Sequence, residues 1–224
     1  MIAKLLLQNT AFVIGMGALL FASAGTLQWP GAWAYLIASA VLGPAGGVWL
    51  ARVDPGLLAE RMRLMGREEQ PAADKYFMLV LVILVVIWLV AMGLDRRFDG
   101  AKAGTPLMLL GLVLYLISMV LILWVFRTNS FAAPVVKVQA ERDHRVISTG
   151  PYALVRHPMY ASIMLFFIGV PLMLASWWGL AFVPVFFLMF AVRTRIEERT
   201  LAAGLPGYAD YATRVRYRLV PGLW

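Results

Sequence analysis

Hydrophobic and polar positions are segregated along this chain into long uncharged stretches and shorter polar ones. Six stretches carry no charged side chain, and each is close to the roughly 20 residues that a helix needs to cross a bilayer. A helix satisfies its own backbone hydrogen bonds, so an open chain takes this form in hydrocarbon. The pattern predicts an all-α integral membrane protein with about six transmembrane helices, at 5–25, 32–51, 77–94, 107–126, 159–176 and 177–192.

Basic residues are distributed unevenly among the polar stretches. Of the 20 lysines and arginines, only Arg96, Arg97 and Lys102 follow the third apolar stretch, and the other 17 lie at alternate helix ends. Cytoplasmic loops of membrane proteins are enriched in these residues, so we expect both termini and the loops at 52–76 and 127–158 to be cytoplasmic. The excess of arginine over lysine, 16 to 4, hints at a GC-rich bacterial genome, and we expect the protein in a bacterial inner membrane. This topology accounts for the net charge of +8, and no nucleic-acid partner is expected.

Composition narrows the possible chemistry. The 224 residues are 62% hydrophobic and include no cysteine and two histidines, which excludes disulfides and a cysteine nucleophile and predicts no metal site. The apolar stretches hold no ionisable side chain, which argues against an ion pathway through the bilayer. We therefore expect the chemistry at the cytoplasmic face. The prediction divides the chain into a four-helix membrane region, 1–126, and a functional region, 127–224, with a tight helical hairpin and a cytoplasmic tail.

The polar segment before the fifth apolar stretch is the densest in functional side chains: Gly150-Pro151-Tyr152, then Arg156-His157-Pro158-Met159-Tyr160. Pro158 suits the first position of a helix, and a helix N-terminus favours an anionic group. The alternative is a plain helix start with an arginine that anchors it at the membrane surface. Upstream, residues 136–139 and 145–148 predict a short β-hairpin, with His144 exposed in its turn.

A second polar cluster, 193–199, continues the last apolar stretch. Arg193 and Glu197 are four residues apart, so they can meet on one helix face. Such pairs are either a solvated face of weak ion pairs, or a carboxylate turned towards a cationic ligand or a substrate proton. The tail, 205–224, mixes aromatic side chains with arginine. It either lies on an anionic membrane surface or folds back as a lid over a ligand.

These motifs resemble a known set. The two motifs around His157, the pair Glu197-Glu198, and Tyr208 and Tyr211 before Arg218 and Pro221 are similar to the signature of the isoprenylcysteine carboxyl methyltransferase and phospholipid methyltransferase superfamily. Residues 29–33, 54–61 and Asp74-Lys75 resemble the small bacterial members. One departure is Ser162, where many relatives carry glycine.

The resemblance implies an S-adenosylmethionine-dependent methyltransferase that acts at the cytoplasmic face on a lipid-like or small apolar acceptor, through a carboxyl, amine or thiol group. It implies catalytic roles for Arg156, His157 and Glu198, and a substrate-binding role for Arg218. No obligate protein partner is expected besides the bilayer. The residues implied to bind the cofactor are Gly150, Pro151, Tyr152, His157, Pro158, Tyr160, Glu197, Glu198, Tyr208 and Tyr211.

Two other classes stay open on the sequence. The first is an NADPH-dependent enzyme similar to the sterol reductases, which have a similar Arg-His-Pro-x-Tyr helix but are generally longer. The second is a noncatalytic membrane scaffold, which the apolar stretches permit. The concentration of polar motifs on one face favours an enzyme over a scaffold.

Overall fold

The structure is a computed structural model that describes residues 1–62, 72–98 and 104–224. All regular secondary structure in these ranges is helical, which confirms the all-α prediction. The α-helices are α1 (Ile2–Ala24), α2 (Pro30–Val53), α3 (Pro55–Met62), α4 (Ala72–Arg97), α5 (Thr105–Thr128), α6 (Pro158–Met173), α7 (Trp177–Ala181), α8 (Val183–Gly204) and α9 (Tyr208–Arg214).

The apolar helices make the chain a multi-pass integral membrane protein. Five helical units are long and apolar enough to cross a bilayer: α1, α2, α4, α5 and the segment Trp177–Gly204. The predicted fifth span is a shorter apolar helix of 16 residues, α6. Pro184 lies in the first turn of α8, where a proline displaces no intrahelical hydrogen bond.

The closest helix pair is α5 and α6, which cross at two glycines. A Cβ atom on Gly111 would collide with the backbone of Met173 and Gly169, and one on Gly169 would lie 2.8 Å from the Tyr115 nitrogen. Small residues allow this approach, and membrane helices use it because no hydrophobic force drives their association.

An aromatic cluster joins α4, α6 and α8 in the core. Phe167 stacks on Phe186 at 3.7 Å between ring centroids, and both contact the buried Trp88. One turn further along α8, Phe190 contacts Tyr160 at 5.1 Å. This packing sets the start of α6 beside the polar end of α8.

Contacts between loops identify the two ends of the bundle. At one end, Arg61 donates to the Ala132 carbonyl (2.8 Å) and the Val136 amide donates to Asp74 (3.1 Å). At the other end, Arg96 donates to the Gln28 carbonyl at 3.1 Å. The two predicted cytoplasmic loops therefore share one end of the molecule. Three basic residues used in the topology prediction lie outside the described residues: Arg63, Arg67 and Lys102.

The β-hairpin predicted at 136–148 is wrong, since the described residues contain no strand there. The chain forms instead a short 3₁₀ helix, Ala140–Arg142, followed by Asp143 in the left-handed region at φ 52°. The Gln139 amide donates to Nδ1 of His144 at 3.2 Å. Local bonds of this kind close a compact turn and replace the ladder of a hairpin.

Candidate functional site

A narrow polar cleft lies at the end of the bundle where Arg61 contacts Ala132 and Asp74 contacts Val136. It surrounds about 740 Å³ of space, counting its open mouth. The loop 129–147, the start of α6, α8 and α9 form its walls. The lining side chains with chemical function include His144, Arg145, Tyr152, Arg156, His157, Tyr160, Glu197, Tyr208 and Tyr211.

A 3₁₀ helix, Gly150–Ala153, leads the chain into this cleft. Gly150 has φ +57°, and a Cβ there would lie 2.9 Å from the Thr128 hydroxyl, so glycine is required at this turn. Asn129 donates to the Tyr152 hydroxyl at 2.8 Å, and the Tyr211 hydroxyl donates to the Tyr152 carbonyl at 2.8 Å. Burial raises the pKa of Tyr152 above its ordinary value, so the phenol stays protonated.

The tail runs alongside the start of α6. The Arg156 amide donates to the Tyr217 carbonyl and the His157 amide to the Arg218 carbonyl, both at 2.9 Å. Pro158 has no amide hydrogen to offer. The tail carbonyls therefore occupy the two amides that directly precede Pro158, so these amides do not face an anionic ligand.

Glu198 holds the tail against this segment. It accepts from Arg156 Nε at 2.6 Å and from Arg218 Nε at 2.9 Å, and lies 3.4 Å from His157 Nε2. Arg156 is buried and also donates to the carbonyls of Ala212 and Val215, each at 3.0 Å. These contacts match a tail folded back as a lid, and they engage Arg156 and Glu198 with each other.

Glu197, the preceding residue, has a different environment. Its Oε2 accepts a hydrogen bond from the Tyr160 hydroxyl and lies 3.9 Å from His157 Nδ1. Among the described residues no arginine or lysine forms an ion pair with it. Its carboxylate lines the cleft, whereas Glu198 does not. Of the two glutamates, Glu197 is the one that faces the cleft.

Tyr208 and Tyr211, two tyrosines of the tail, form one wall of the cleft, and their ring centroids lie 5.9 Å apart. The Tyr208 hydroxyl is buried, and it has no hydrogen-bond partner among the residues that the structure describes. Burial raises the pKa of Tyr211 to about 12. Because buried hydroxyl groups are nearly always paired, the Tyr208 hydroxyl is a group that a ligand can satisfy.

An apolar groove lies on the opposite side of the same segment. It surrounds about 1030 Å³, counting its open mouth, and its exposed lining is almost wholly apolar. Pro151, Leu154 and Pro158 line this groove, whereas Tyr152, Arg156 and His157 line the polar cleft. The remaining lining residues of the groove are Leu121, Trp124, Val125, Val155, Ala161, Ser162, Met164, Leu165, Ile168, Phe187, Leu219, Val220 and Pro221.

Comparison with known proteins finds a matching family model, similar sequences and a similar solved structure. The family model for phospholipid methyltransferases matches residues 106–205, which include most of the cleft and groove. Protein-S-isoprenylcysteine O-methyltransferase B of Arabidopsis thaliana is 26% identical over 148 residues, 63% of this chain and 72% of that protein. The chain is therefore similar to the isoprenylcysteine carboxyl methyltransferase and phospholipid methyltransferase superfamily, and the family model covers just under half of it.

Two further similarities are to a metal-resistance protein and to a solved structure. The cobalt-zinc-cadmium resistance protein CzcN of Cupriavidus metallidurans is 29% identical over 119 residues, 53% of this chain. The match spans about half the length of that relative, 51%. The solved structure of a eukaryotic intramembrane Ras methyltransferase, an isoprenylcysteine carboxyl methyltransferase, shares the fold with a TM-score of 0.59 at 20% identity, over 96% of this chain and 75% of that one.

The structure divides the residues that the superfamily resemblance implied. Tyr152, Arg156, His157, Tyr160, Glu197, Tyr208 and Tyr211 line the polar cleft. Pro151 and Pro158 line the apolar groove, and Gly150, Glu198 and Arg218 line neither. The first set therefore shares one cleft, and the cofactor-binding and catalytic roles of its members stay predictions. The contacts of Glu198 and Arg218 indicate that they hold the tail in place.

Sequence reasoning missed three residues at or near the polar cleft. His144, expected to be exposed, is half-buried, stacks on Phe131 at 4.4 Å and lines the cleft. Asp74 and Arg193 form a buried ion pair at 3.1 Å behind Tyr160. The sequence placed Arg193 four residues before Glu197 and Asp74 shortly before an apolar stretch, but nothing in it paired Asp74 with Arg193.

Proposed function

We propose that this chain is an S-adenosylmethionine-dependent methyltransferase that acts at the cytoplasmic face of the membrane on an acceptor with an apolar body. The observation that carries this proposal is the shared wall. Residues 151–161 present polar side chains to one cavity and apolar ones to the other. A water-soluble methyl donor and a lipid-dissolved acceptor can therefore approach the same short segment from opposite sides.

The residues of the cleft fit this cofactor. Among the described residues, Glu197 contacts Tyr160 and His157 and forms no ion pair with arginine or lysine. Its carboxylate would hold the cationic part of the cofactor. The Tyr208 hydroxyl would pair with a polar atom of the adenosine or methionine portion. Aromatic rings at Tyr152, Tyr208 and Tyr211 supply flat apolar surfaces beside the adenosine.

The chemistry asks chiefly for alignment. S-adenosylmethionine supplies, when bound, a methyl group that its sulfonium has already activated. The protein's part is to hold donor and acceptor in line and to exclude water, which the closed tail favours. An amine or thiol acceptor releases a proton, which His157 or Glu197 could accept. A carboxylate acceptor releases none.

The groove restricts the acceptor to molecules with an apolar body. Its lining includes the exposed apolar side chains of Trp124, Leu154 and Phe187, so an aliphatic chain can enter from the bilayer. Ser162 narrows it only slightly, since its hydroxyl donates back to the Pro158 carbonyl at 2.7 Å. We propose that the reacting group, a carboxyl, amine or thiol, reaches the start of α6 while the apolar body stays in the groove.

Ligand binding tests the cofactor assignment. S-adenosylhomocysteine should raise the melting temperature of the purified protein by mass action, and NADPH should not. His157→Ala should weaken S-adenosylhomocysteine binding, because this ring lines the cleft between both glutamates. Stabilisation by NADPH alone would replace this proposal with a reductase.

Filling the groove tests the acceptor assignment separately. Ala161→Trp should abolish transfer of a labelled methyl group to membrane components while leaving the affinity for S-adenosylhomocysteine unchanged. Release of the wild-type label by base would indicate an ester, and stable label would indicate an amine or thioether. Unchanged transfer in Ala161→Trp would show that the acceptor does not use this groove.

A further inference from the structure

Asp74, at the start of α4, is buried and belongs to the part of the chain predicted to serve only as a membrane region. Its Oδ2 accepts from the Val136 amide at 3.1 Å, and its Oδ1 lies 3.1 Å from Arg193 Nη2. Asp74 does not line the polar cleft. Its described contacts reach the cleft through Val136, which lines it, and through Arg193, which contacts the cleft residue Tyr160.

Arg193 fixes the direction of the hydrogen bond that Glu197 receives. Its Nε donates to the Tyr160 hydroxyl at 3.0 Å. A guanidinium has donors only, so the Tyr160 oxygen is the acceptor in this contact. The single hydroxyl proton of Tyr160 is then directed to Glu197. The Phe77 ring, whose centroid lies 4.5 Å from Arg193 Cζ, packs against the guanidinium and holds it in this position.

The same arginine is a cation close to a carboxylate that is meant for a ligand. Arg193 interacts electrostatically with both Asp74 and Glu197. Charges in a partly buried site act on each other over several ångströms, because the effective dielectric constant is low. If Arg193 lacked its own counter-ion, it would offset the charge of Glu197.

We propose that Asp74 is a positioning residue for the methyl-donor site: it neutralises Arg193, so that Arg193 can orient Tyr160 while the charge of Glu197 remains available to a cationic ligand. This inference rests on the proposed function, because it assigns the cation to S-adenosylmethionine. It extends the site by a residue some 120 positions upstream of Glu197.

A comparison of two ligands isolates this effect. S-adenosylmethionine carries a sulfonium charge that S-adenosylhomocysteine lacks, so the ratio of their Kd values reports the electrostatics of the site. Asp74→Asn keeps an oxygen for the Val136 amide but removes the charge. We expect it to lower the preference for S-adenosylmethionine about fivefold, which corresponds to about 1 kcal/mol. A merely structural role would weaken both ligands equally.

Two further variants make the test decisive. Arg193→Met should weaken both ligands by releasing Tyr160, yet raise the preference for S-adenosylmethionine, because it removes the competing cation. The matched control is Asp95→Asn at the far end of α4. Asp95 is equally buried and accepts from the Ser176 hydroxyl (2.7 Å) and the Trp178 amide (3.1 Å). It should lower stability without changing the ligand ratio.

The outcomes separate this inference from the proposed function. Opposite shifts of the ratio in Asp74→Asn and Arg193→Met support it, and an unchanged ratio in both overturns it while the methyltransferase proposal stands. If Asp74→Asn does not fold, the direction of the shift in Arg193→Met decides. A wild-type protein that binds neither ligand overturns both proposals.

Discussion

Adjacent carboxylates can serve separate purposes when their side chains point to different partners. Glu197 and Glu198 follow each other on α8, yet Glu198 is shared between two arginines and Glu197 is contacted by a tyrosine and a histidine. Among the described residues, no arginine or lysine forms an ion pair with Glu197. We interpret Glu197 as the ligand-binding residue and Glu198 as the residue that closes the tail.

Substitution of each glutamate by glutamine should separate the two roles. Glu197→Gln should weaken S-adenosylmethionine binding about tenfold by removing the charge that faces the cation, with little change in melting temperature. Glu198→Gln should lower the free energy of unfolding by about 2 kcal/mol, because it leaves the buried Arg156 without its counter-ion. Titration calorimetry and thermal melts measure the two effects. The same loss of affinity in both variants would contradict this division.

The tail tyrosines offer a second contrast. Tyr208→Phe removes a buried hydroxyl without a described partner, so it should leave the protein as stable or more stable, by about 1 kcal/mol, and weaken S-adenosylhomocysteine binding. Tyr211→Phe removes a hydrogen bond to the Tyr152 carbonyl and should instead destabilise the protein by about 1 kcal/mol. Paired melts and binding isotherms check both. Undiminished ligand affinity in Tyr208→Phe would show that the ligand does not contact this hydroxyl.

At the scale of elements, the crossing of α5 and α6 places the polar cleft and the apolar groove on the two sides of one segment. Both helices are wholly apolar near Gly111 and Gly169, so close backbone contact, rather than polar pairing, holds them together. The position of α6 relative to α5 sets the width of the groove.

A methyl group at this crossing should be costly. Gly111→Ala should destabilise the protein by about 3 kcal/mol, because the backbone of Met173 and Gly169 cannot move aside as a flexible side chain could. The control is Gly15→Ala on α1, where a Cβ would meet nothing within 4 Å. Thermal melts in one detergent compare the two. Equal melting temperatures for both variants would contradict the close crossing.

Elements could be predicted from the sequence where a single physical rule governs them. Long uncharged apolar stretches must be helices in a bilayer, so the membrane helices were predicted well. The 136–148 turn was not, because its alternating apolar residues resemble a strand while the bond from Gln139 to His144 closes a turn.

At the scale of the whole molecule, the site assembles residues from Asp74 to Arg218. Most of these residues lie in motifs that can be recognised in the sequence, and the resemblance to the superfamily identified most of them before the fold was considered. Which of them share a cavity could not be predicted, because that depends on helix packing over large sequence separations. The separation of Pro151 from Tyr152, neighbours that face different cavities, is one example.

The predicted topology places this assembly at the cytoplasmic face. The chain has no cysteine, so single introduced cysteines can report sidedness. In intact bacterial cells a membrane-impermeant maleimide should label Gln28→Cys and should not label Asp210→Cys until the membrane is opened. Both positions are exposed and lie at opposite ends of the bundle. The reverse pattern would move the site to the outer face.

The most direct test of the central claim is equilibrium binding of labelled S-adenosylmethionine to the purified protein in lipid nanodiscs. The account predicts saturable binding by the wild type and by Ala161→Trp, and markedly weaker binding by Glu197→Gln. Binding that is absent from the wild type, or that is indifferent to Glu197, would contradict a methyl-donor site in the polar cleft.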